Sequence, residues 1–394
     1  MALALEGIRV LDLSTRVAGA WCSRLLADFG ADVVMVEAPG GNVVRALAPF
    51  DDDGDSIVGA YVLANKRSAM LDLASEQGRA ALDDLAAGCD VVVDSAVPGV
   101  DFDTLEGRRD GAILVSITPN GLSGARATHA GNDLTAHALS GWASVNGLAD
   151  REPLKGSGLM ASYVAGTAAY GATVTALLHR ELHGRGQQID VSETESLLEI
   201  FSAAFLRGQY FGEPFPRREK INMTGTFPVP VRDGHMSLTV GRGDRARDAL
   251  IALGLHELAD SEDWTTRPFQ LARDPEIAAQ IEAKALEWDR MDLFEALSVL
   301  RVIAGPVLYV DELSTNEQLN SRGYFVRPPD APDGPRYPGA PVKLAATPWA
   351  MRRSRPAPGE HTAEVLREVA GYDEAQVEAQ MNATVTPLER VAGS

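Results

Sequence analysis

The sequence predicts an α/β chain: a parallel sheet covered by helices in the first half, then a smaller α+β region. Three observations carry this. Gly7–Gly41 reads as one strand–helix–strand unit, unbroken apolar runs of strand length recur up to Thr118, and prolines and glycines interrupt the pattern from Gly212 onward. In the first unit Ile8, Val10 and Leu13 open a strand. Val17, Trp21, Cys22, Leu25, Leu26 and Phe29 recur at helical spacing, and Val33, Val34 and Val36 make the second strand. The small residues of the intervening turn, Ser14–Ala20, let a ligand approach backbone N–H groups at a helix start. The GxGxxG spacing is absent and Gly40-Gly41 follows the second strand, which argues against a nicotinamide or flavin dinucleotide.

Further along, Ser68–Leu73 reads as a strand, Glu76–Ala87 as an amphipathic helix, and Asp90–Asp94 and Ala112–Thr118 as strands. A helix is expected over Asp133–Val145. A long one follows over Ser162–His183, stopped by Gly184-Arg185-Gly186. Ala161, Ala165, Ala168, Ala169, Ala172 and Ala176 give it a small-residue face suited to close helix packing more than to a channel. Another helix is expected from Asp190 to Arg207, and a boundary near residue 210. Beyond it, Val229–Val240 reads as a hairpin around Asp233-Gly234, with helices near Ala246–Ala252 and Pro275–Trp288. A segment rich in Pro and Gly, Arg327–Pro341, leads to a helix over His361–Val369 that returns to the first domain. The expected domains are thus 1–210, 211–330, and 331–394 as linker and return.

A chain of 394 residues exceeds one ordinary core, which agrees with two domains. A formal charge of −19 disfavours nucleic acid and anionic membranes as partners, and a polyanionic ligand needs a local basic pocket. Cys22 and Cys89 are too few for a disulfide framework and fit buried thiols in a reducing cytoplasm. No signal-peptide pattern or membrane-length apolar run is present, so a cytoplasmic protein is expected. No metal site is expected: the seven histidines are scattered, and His179 and His183 lack a third ligand.

Six dispersed segments carry a resemblance that spans nearly the whole chain: GIRVLDLS, LLADFGADVVMVEAPGG, NKRSAMLDL (65–73), GRGQQIDVSETES (184–196), IAGPV (303–307) and PGEHTAEVL (358–366). Together they resemble the family III CoA-transferases, also called CaiB/BaiF, which include formyl-CoA:oxalate and carnitine CoA-transferases and α-methylacyl-CoA racemase. The resemblance implies a Rossmann-like large domain, a small domain and an interlocked dimer. It also implies coenzyme A or acyl-CoA as substrate with a small carboxylic acid as second partner.

In the family an aspartate four residues before a helix glycine attacks the thioester and passes through an anhydride to an aspartyl-CoA thioester. Aligned on Gly166, that position is Ser162. A serine ester is too stable to return its acyl group readily to a thiol, and a serine nucleophile needs a histidine, for which His129 and His137 are the sequence candidates. Ser162 also reads as the N-cap of its helix. The racemase histidine falls on Asn132, whose amide cannot shuttle a proton; Asp133 beside it is either a carboxylate near the thioester or a cap. Two arrangements are open: a transferase that uses an aspartate-bearing partner subunit or another group such as Asp133, and a non-catalytic subunit or binding module. A hydrolase, lyase or racemase ranks below both.

For CoA, the resemblance points to Arg16, Val17 and Ala18 in the first turn, Arg45, Asn65, Lys66, Arg67 and Leu71, and Ser95 and Ala96. Arg16, Arg45, Lys66 and Arg67 are the candidate phosphate partners, set against the commoner role of surface charges. Ala38 and Ala74 stand where relatives often carry bases, and Val93-Asp94-Ser95-Ala96 replaces Val-Glu-Asn-Phe over adenine. Gly241-Arg242-Gly243 is too short to serve as the glycine-rich loop of oxalate-type enzymes. Met160, Trp142, Tyr163 and Tyr170 are candidate acyl-pocket or core residues.

Overall fold

The computed structural model describes residues 2–96, 111–213, 215, 217, 228–238, 244–261 and 275–391. Six strands, β1 (Arg9–Asp12), β2 (Asp32–Glu37), β3 (Arg67–Met70), β4 (Val91–Asp94), β5 (Ile113–Thr118) and β6 (Gln188–Ser192), form one parallel sheet in the order β3-β2-β1-β4-β5-β6. Leu11 faces both Val34 and Val92, and Val115 faces Ile189. The strand order reverses between β1 and β4, so the crevice outside their carboxyl ends is the place where such sheets receive ligands. That crevice is bordered by the turn after Asp12 and by Ser95-Ala96.

Alternation along each strand divides the core between two faces. Val10, Val33, Val91, Val93, Val115 and Ile117 pack with Ala18, Cys22 and Leu26 of α1 (Val17–Asp28) and with Ala165, Ala169 and Ala176 of a long helix described below. Between β2 and β3 lies the short α2 (Ile57–Val62). On the other face Leu11, Val34, Val92 and Leu114 pack with Leu82 and Leu85 of α3 (Glu76–Ala87). Cys22 is fully buried, and burial pushes its thiol up to about 12, so it is an inert core residue.

After β5 the expected helix divides into α4 (Asp133–Leu139) and α5 (Trp142–Val145), because Gly141 takes a left-handed φ of 84°. The long helix α6 (Met160–His183) ends at Gly184, φ 73°. Gly166 is where α6 meets α1: a Cβ there would lie 2.4 Å from the Ala18 carbonyl oxygen. The small-residue face thus serves close packing through Ala161, Ala165, Ala169 and Ala176, whereas Ala168 is exposed and Ala172 half-buried.

The helix expected from Asp190 is corrected. Gln188–Ser192 is the edge strand β6, paired to β5, and Ser192 then caps α7 (Glu193–Glu199) by accepting the Glu195 N–H at 3.2 Å. The segment Ser202–Phe211 forms α8, which buries none of its residues.

The chain divides into two compact units: Met1–Asn146, Pro153–Phe215 and Gly323–Ser394, and Gly147–Glu152 with Pro216–Arg322. In the second, β7 (Val229–Val231) and β8 (Gly234–Leu238) pair with β9 (Ala304–Pro306), a strand the sequence reading missed. Residues 239–243, the end of the expected hairpin and the Gly-Arg-Gly segment, lie outside the described residues. Val231, Met236 and Leu238 pack on α9 (Asp244–Ala252), α11 (Pro275–Ala285) and α12 (Arg290–Val299), with α10 (His256–Ala259) alongside α9. The short α13 (Glu317–Ser321) closes this unit.

Within the first unit, the proline-rich stretch forms a small ribbon of β10 (Phe325–Val326) and β11 (Tyr337–Pro338). Then α14 (Thr362–Glu368) sets Val365 and Leu366 against the Leu11 face, followed by α15 (Glu374–Val391).

Candidate functional site

The front of α6 gathers Asp133, His137, Lys155 and Ser162. Asn132 opens α4 with a reciprocal cap: its side chain accepts the Thr135 N–H at 3.1 Å while Thr135 Oγ1 accepts the Asn132 N–H at 2.8 Å. That commits Asn132 to a structural bond and turns Asp133 inward. Asp133 is buried; its Oδ1 accepts the Ala161 N–H at 2.9 Å and its Oδ2 accepts from Lys155 Nζ at 3.1 Å. A carboxylate from α4 therefore caps α6, whose own preceding residue, Leu159, offers no side-chain bond.

This corrects the reading of Ser162 as an N-cap. It is the third residue of α6, 6 % exposed, and its hydroxyl has no hydrogen-bond partner among the described residues. His137 is not its base in this arrangement. Nδ1 lies 2.7 Å from the Asp133 carbonyl oxygen and 3.4 Å from Oδ2, which makes it the protonated nitrogen, and Nε2 is buried without a partner. No hydrogen bond joins His129 to Ser162 either.

Lys155 is the residue that the sequence reading missed. Its ammonium also donates to the carbonyls of Gly156 at 3.0 Å and Gly158 at 2.5 Å, fastening the loop that enters α6. A cation in a Gly-rich approach to a long helix was the available signal. Met160 and Tyr163 line an open groove of about 620 Å³ with Val164, Thr167, Ala168, Glu199 and Ile200, on the face of α6 opposite to buried Ser162. Trp142 instead meets His137 and Phe201 edge-on, and Tyr170 stacks on Phe29.

The expected phosphate-binding cations are all ion-paired. Arg16, its side chain 25 % exposed, bonds Glu193 at 2.7 Å and the Gly131 carbonyl at 3.0 Å. Arg45 forks onto Glu37 at 2.6 and 2.7 Å. Burial alone would raise the Glu37 carboxyl, but bonds from Arg45 and Ser68, the Arg45 charge and the Asn42 N–H together hold it below the usual range. Arg67 pairs with Asp32, Glu364 and Glu368. Lys66 has no exposed surface: its ammonium donates to Asp12 and to the Ala20 carbonyl, both at 2.9 Å, so the phosphate role expected for it is corrected to an interior one.

Asn65, at φ 65°, donates to Asp28 and the Ala350 carbonyl and accepts the N–H groups of Arg352 and Arg353, tying down the C-terminal strap. The side chains of Val17, Ala18 and Leu71 are core. Ser95 Oγ is buried without a partner beside Gly19, and Ala96, at φ 57°, donates its N–H to Asp94 at 2.7 Å. Among the described residues no group of three or more potential ligands is placed to hold a metal, and no helix is long and apolar enough to cross a membrane.

A doubly wound parallel sheet with a topological switch point, and an apolar groove along the first turns of a capped helix, define an α/β protein of the kind that receives ligands at the carboxyl ends of its strands. The chain belongs to CoA-transferase family III, whose model matches residues 5–362. It is an enzyme of that family, with CoA thioesters as substrate. It is 33 % identical over 387 residues to succinate–glutarate CoA-transferase of Agrobacterium fabrum, covering 93 % of this chain and 95 % of the relative. Formyl-CoA:oxalate CoA-transferase of Rhodopseudomonas palustris is 29 % identical over the full length of both chains. The β subunit of succinyl-CoA–L-malate CoA-transferase of Chloroflexus aurantiacus is also 29 % identical, over 95 % of this chain and 96 % of the relative. Among solved structures, a CaiB/BaiF family protein from Brucella suis superposes with a TM-score of 0.84 at 27 % identity, covering 94 % of this chain and all of the other.

Proposed function

We propose that this chain moves CoA between an acyl-CoA thioester and a small carboxylic acid at the front of α6, with Ser162 standing where relatives carry the nucleophilic aspartate. The observation that carries the reading is the convergence of the Asp133–Lys155 pair on the start of α6, one residue ahead of Ser162. Several relatives act, by name, on succinate, glutarate, malate or oxalate, which makes short dicarboxylates the substrates to try first. In this proposal CoA lies along the switch-point crevice, against the backbone of Arg16, Val17 and Ala18 and against Ser95 and Ala96, with Arg45 and Leu71 supporting the walls; Asn65 and Arg67 contribute through the fold, tying Asp28, Asp32 and the C-terminal strap.

The exposed apolar side chains of α8, Phe205, Leu206, Tyr210 and Phe211, favour an oligomer, and an interlocked homodimer in the cytoplasm is the form proposed. A second reading, a heteromer with an aspartate-bearing related subunit, is favoured by the β-subunit relative. In that arrangement this chain is the non-catalytic member.

Mass spectrometry of purified protein with a panel of acyl-CoAs and isotopically labelled succinate tests the proposal, run beside Ser162→Asp and beside the protein co-expressed with an aspartate-bearing relative. Exchange by the unmodified chain supports the first reading. Exchange only after co-expression supports the second, and exchange by none of the three removes CoA transfer as the activity.

A further inference from the structure

Among the described residues the candidate site offers no protein nucleophile of the kind the reaction needs. Ser162 lacks a base, since His137 Nδ1 is engaged by Asp133 and its Nε2 does not reach the hydroxyl. Asp133 is buried and divided between the α6 N-terminus and Lys155, and Glu193 is buried under Arg16. Glu199 is exposed on the groove wall.

What the site does offer is a place for a carboxylate that is not the protein's own. The first turn of α6 carries the positive end of a 24-residue helix, from which Asp133 takes the Ala161 N–H alone. Ser162, a residue 6 % exposed whose hydroxyl makes no hydrogen bond to a described residue, stands in that turn with an O–H to donate. A hydroxyl is smaller than a carboxymethyl group, so the change from aspartate leaves room in front of the helix.

Resting on the CoA-transfer reading above, we infer that Ser162 is a binding residue for the acceptor acid, and that the acceptor's own carboxylate attacks the thioester without a covalent protein intermediate. An oxygen of the acceptor carboxylate adds to the acyl-CoA carbonyl, and the C–S bond breaks. This yields a mixed anhydride of the two acids and CoA thiolate. The thiolate then attacks the acceptor's carbonyl carbon, and the C–O bond of the anhydride breaks. The products are the acceptor's CoA thioester and the donor acid, which carries away the attacking oxygen. No net proton moves, so the absence of a base at Ser162 is no obstacle. The α6 N-terminus and the Ser162 hydroxyl hold negative charge throughout, and Lys155 acts as a positioning residue by fixing Asp133 and the entry loop.

The decisive experiment is a single turnover with acceptor acid labelled by ¹⁸O in both carboxylate positions, on whichever form of the protein is active in the exchange assay. Direct attack places one ¹⁸O in the donor acid released in that first turnover, gives sequential kinetics, and leaves no protein-bound CoA for hydroxylamine or borohydride to trap. Unlabelled donor acid, ping-pong kinetics and a trapped adduct on Asp133, Glu199 or a partner's aspartate overturn the inference while leaving CoA transfer standing. No transfer in any form removes both. Ser162→Ala supplies an independent reading: KM for the acid rises ~10-fold or more, the weight of one hydrogen bond to a charged group, with KM for acyl-CoA unchanged. Abolished kcat with unchanged KM for the acid contradicts the binding role. Ser162→Asp is expected to convert the kinetics to ping-pong with a trappable adduct.

Discussion

Replacing Lys66 separates an interior role from a phosphate-binding one. The Lys66 ammonium and the Asp12 carboxylate are both fully buried and 2.9 Å apart. At an effective dielectric of 20 their attraction is about 6 kcal/mol. In Lys66→Met the aliphatic volume stays while Asp12 loses its counter-charge and keeps bonds from the Ser14 N–H, the Ser14 hydroxyl and the Ser23 hydroxyl. Those bonds offset part of the loss, and removing one partner of a buried pair costs about 3–5 kcal/mol. With a urea slope of ~3 kcal/mol/M for so long a chain, the midpoint followed by circular dichroism falls by ~1–1.7 M. The double variant Asp12→Asn/Lys66→Met should regain ~1–3 kcal/mol over the sum of the singles. In the folded Lys66→Met protein, KM for acyl-CoA should match the unmodified enzyme. An unchanged urea midpoint together with a raised acyl-CoA KM would refute the assignment and return Lys66 to the phosphates.

Gly166→Ala puts a methyl 2.4 Å from the Ala18 carbonyl and 3.0 Å from Trp21, so α1 and α6 must part; a loss of ~1–3 kcal/mol in urea unfolding, with weakened acyl-CoA binding, is expected. Asp133→Asn keeps the shape of the α6 cap but removes its charge from the helix N-terminus and from Lys155. Stability should fall by ~1–2 kcal/mol and the exchange rate by ~10-fold. Glu37, depressed in the folded state, contributes stability that is fully present above its unfolded pKa of about 4.3 and is lost as pH falls through the lower folded value. Acid titration of unfolding should therefore be shallower below pH ~4 in Glu37→Gln, and an unchanged slope would remove Glu37 as a source of acid sensitivity.

The parallel sheet was legible because strands buried on both faces leave unbroken apolar runs such as Val33-Val34-Met35-Val36, and the stop of α6 because Gly184 needs a left-handed backbone. The QIDVS strand was misread because an edge strand followed at once by a capped helix joins two periods in one apolar stretch. Only the pairing to β5 separates them. Gly141 split a helix for the same reason that Gly184 ended one, yet a single glycine within a helical pattern is weak punctuation. At the candidate site, Ser162 and Asp133 stood out by position. Lys155 did not, since its partners lie 22 residues upstream and in its own loop, a juxtaposition no local spacing encodes.

The same limit applies to the cations, and burial decides their role. Glu193, Glu37 and Asp12 have fully buried side chains and face Arg16, Arg45 and Lys66 respectively. If a CoA phosphate drew Arg16 or Arg45 away, it would strand a carboxylate inside the protein at a cost of several kcal/mol, comparable with what the new phosphate bond returns. These bases therefore do more by holding the walls than by reaching the ligand: Arg16 ties the β1–α1 turn to Glu193 at the start of α7 and to Gly131 ahead of α4, joining the crevice to the front of α6. With these cations held by buried carboxylates, the partial positive charge for a phosphate or a carboxylate comes, in this proposal, from backbone N–H groups at helix starts. On the proposed reading the same physical device serves CoA at α1 and the acceptor acid at α6, so that a serine suffices where relatives carry a charged side chain.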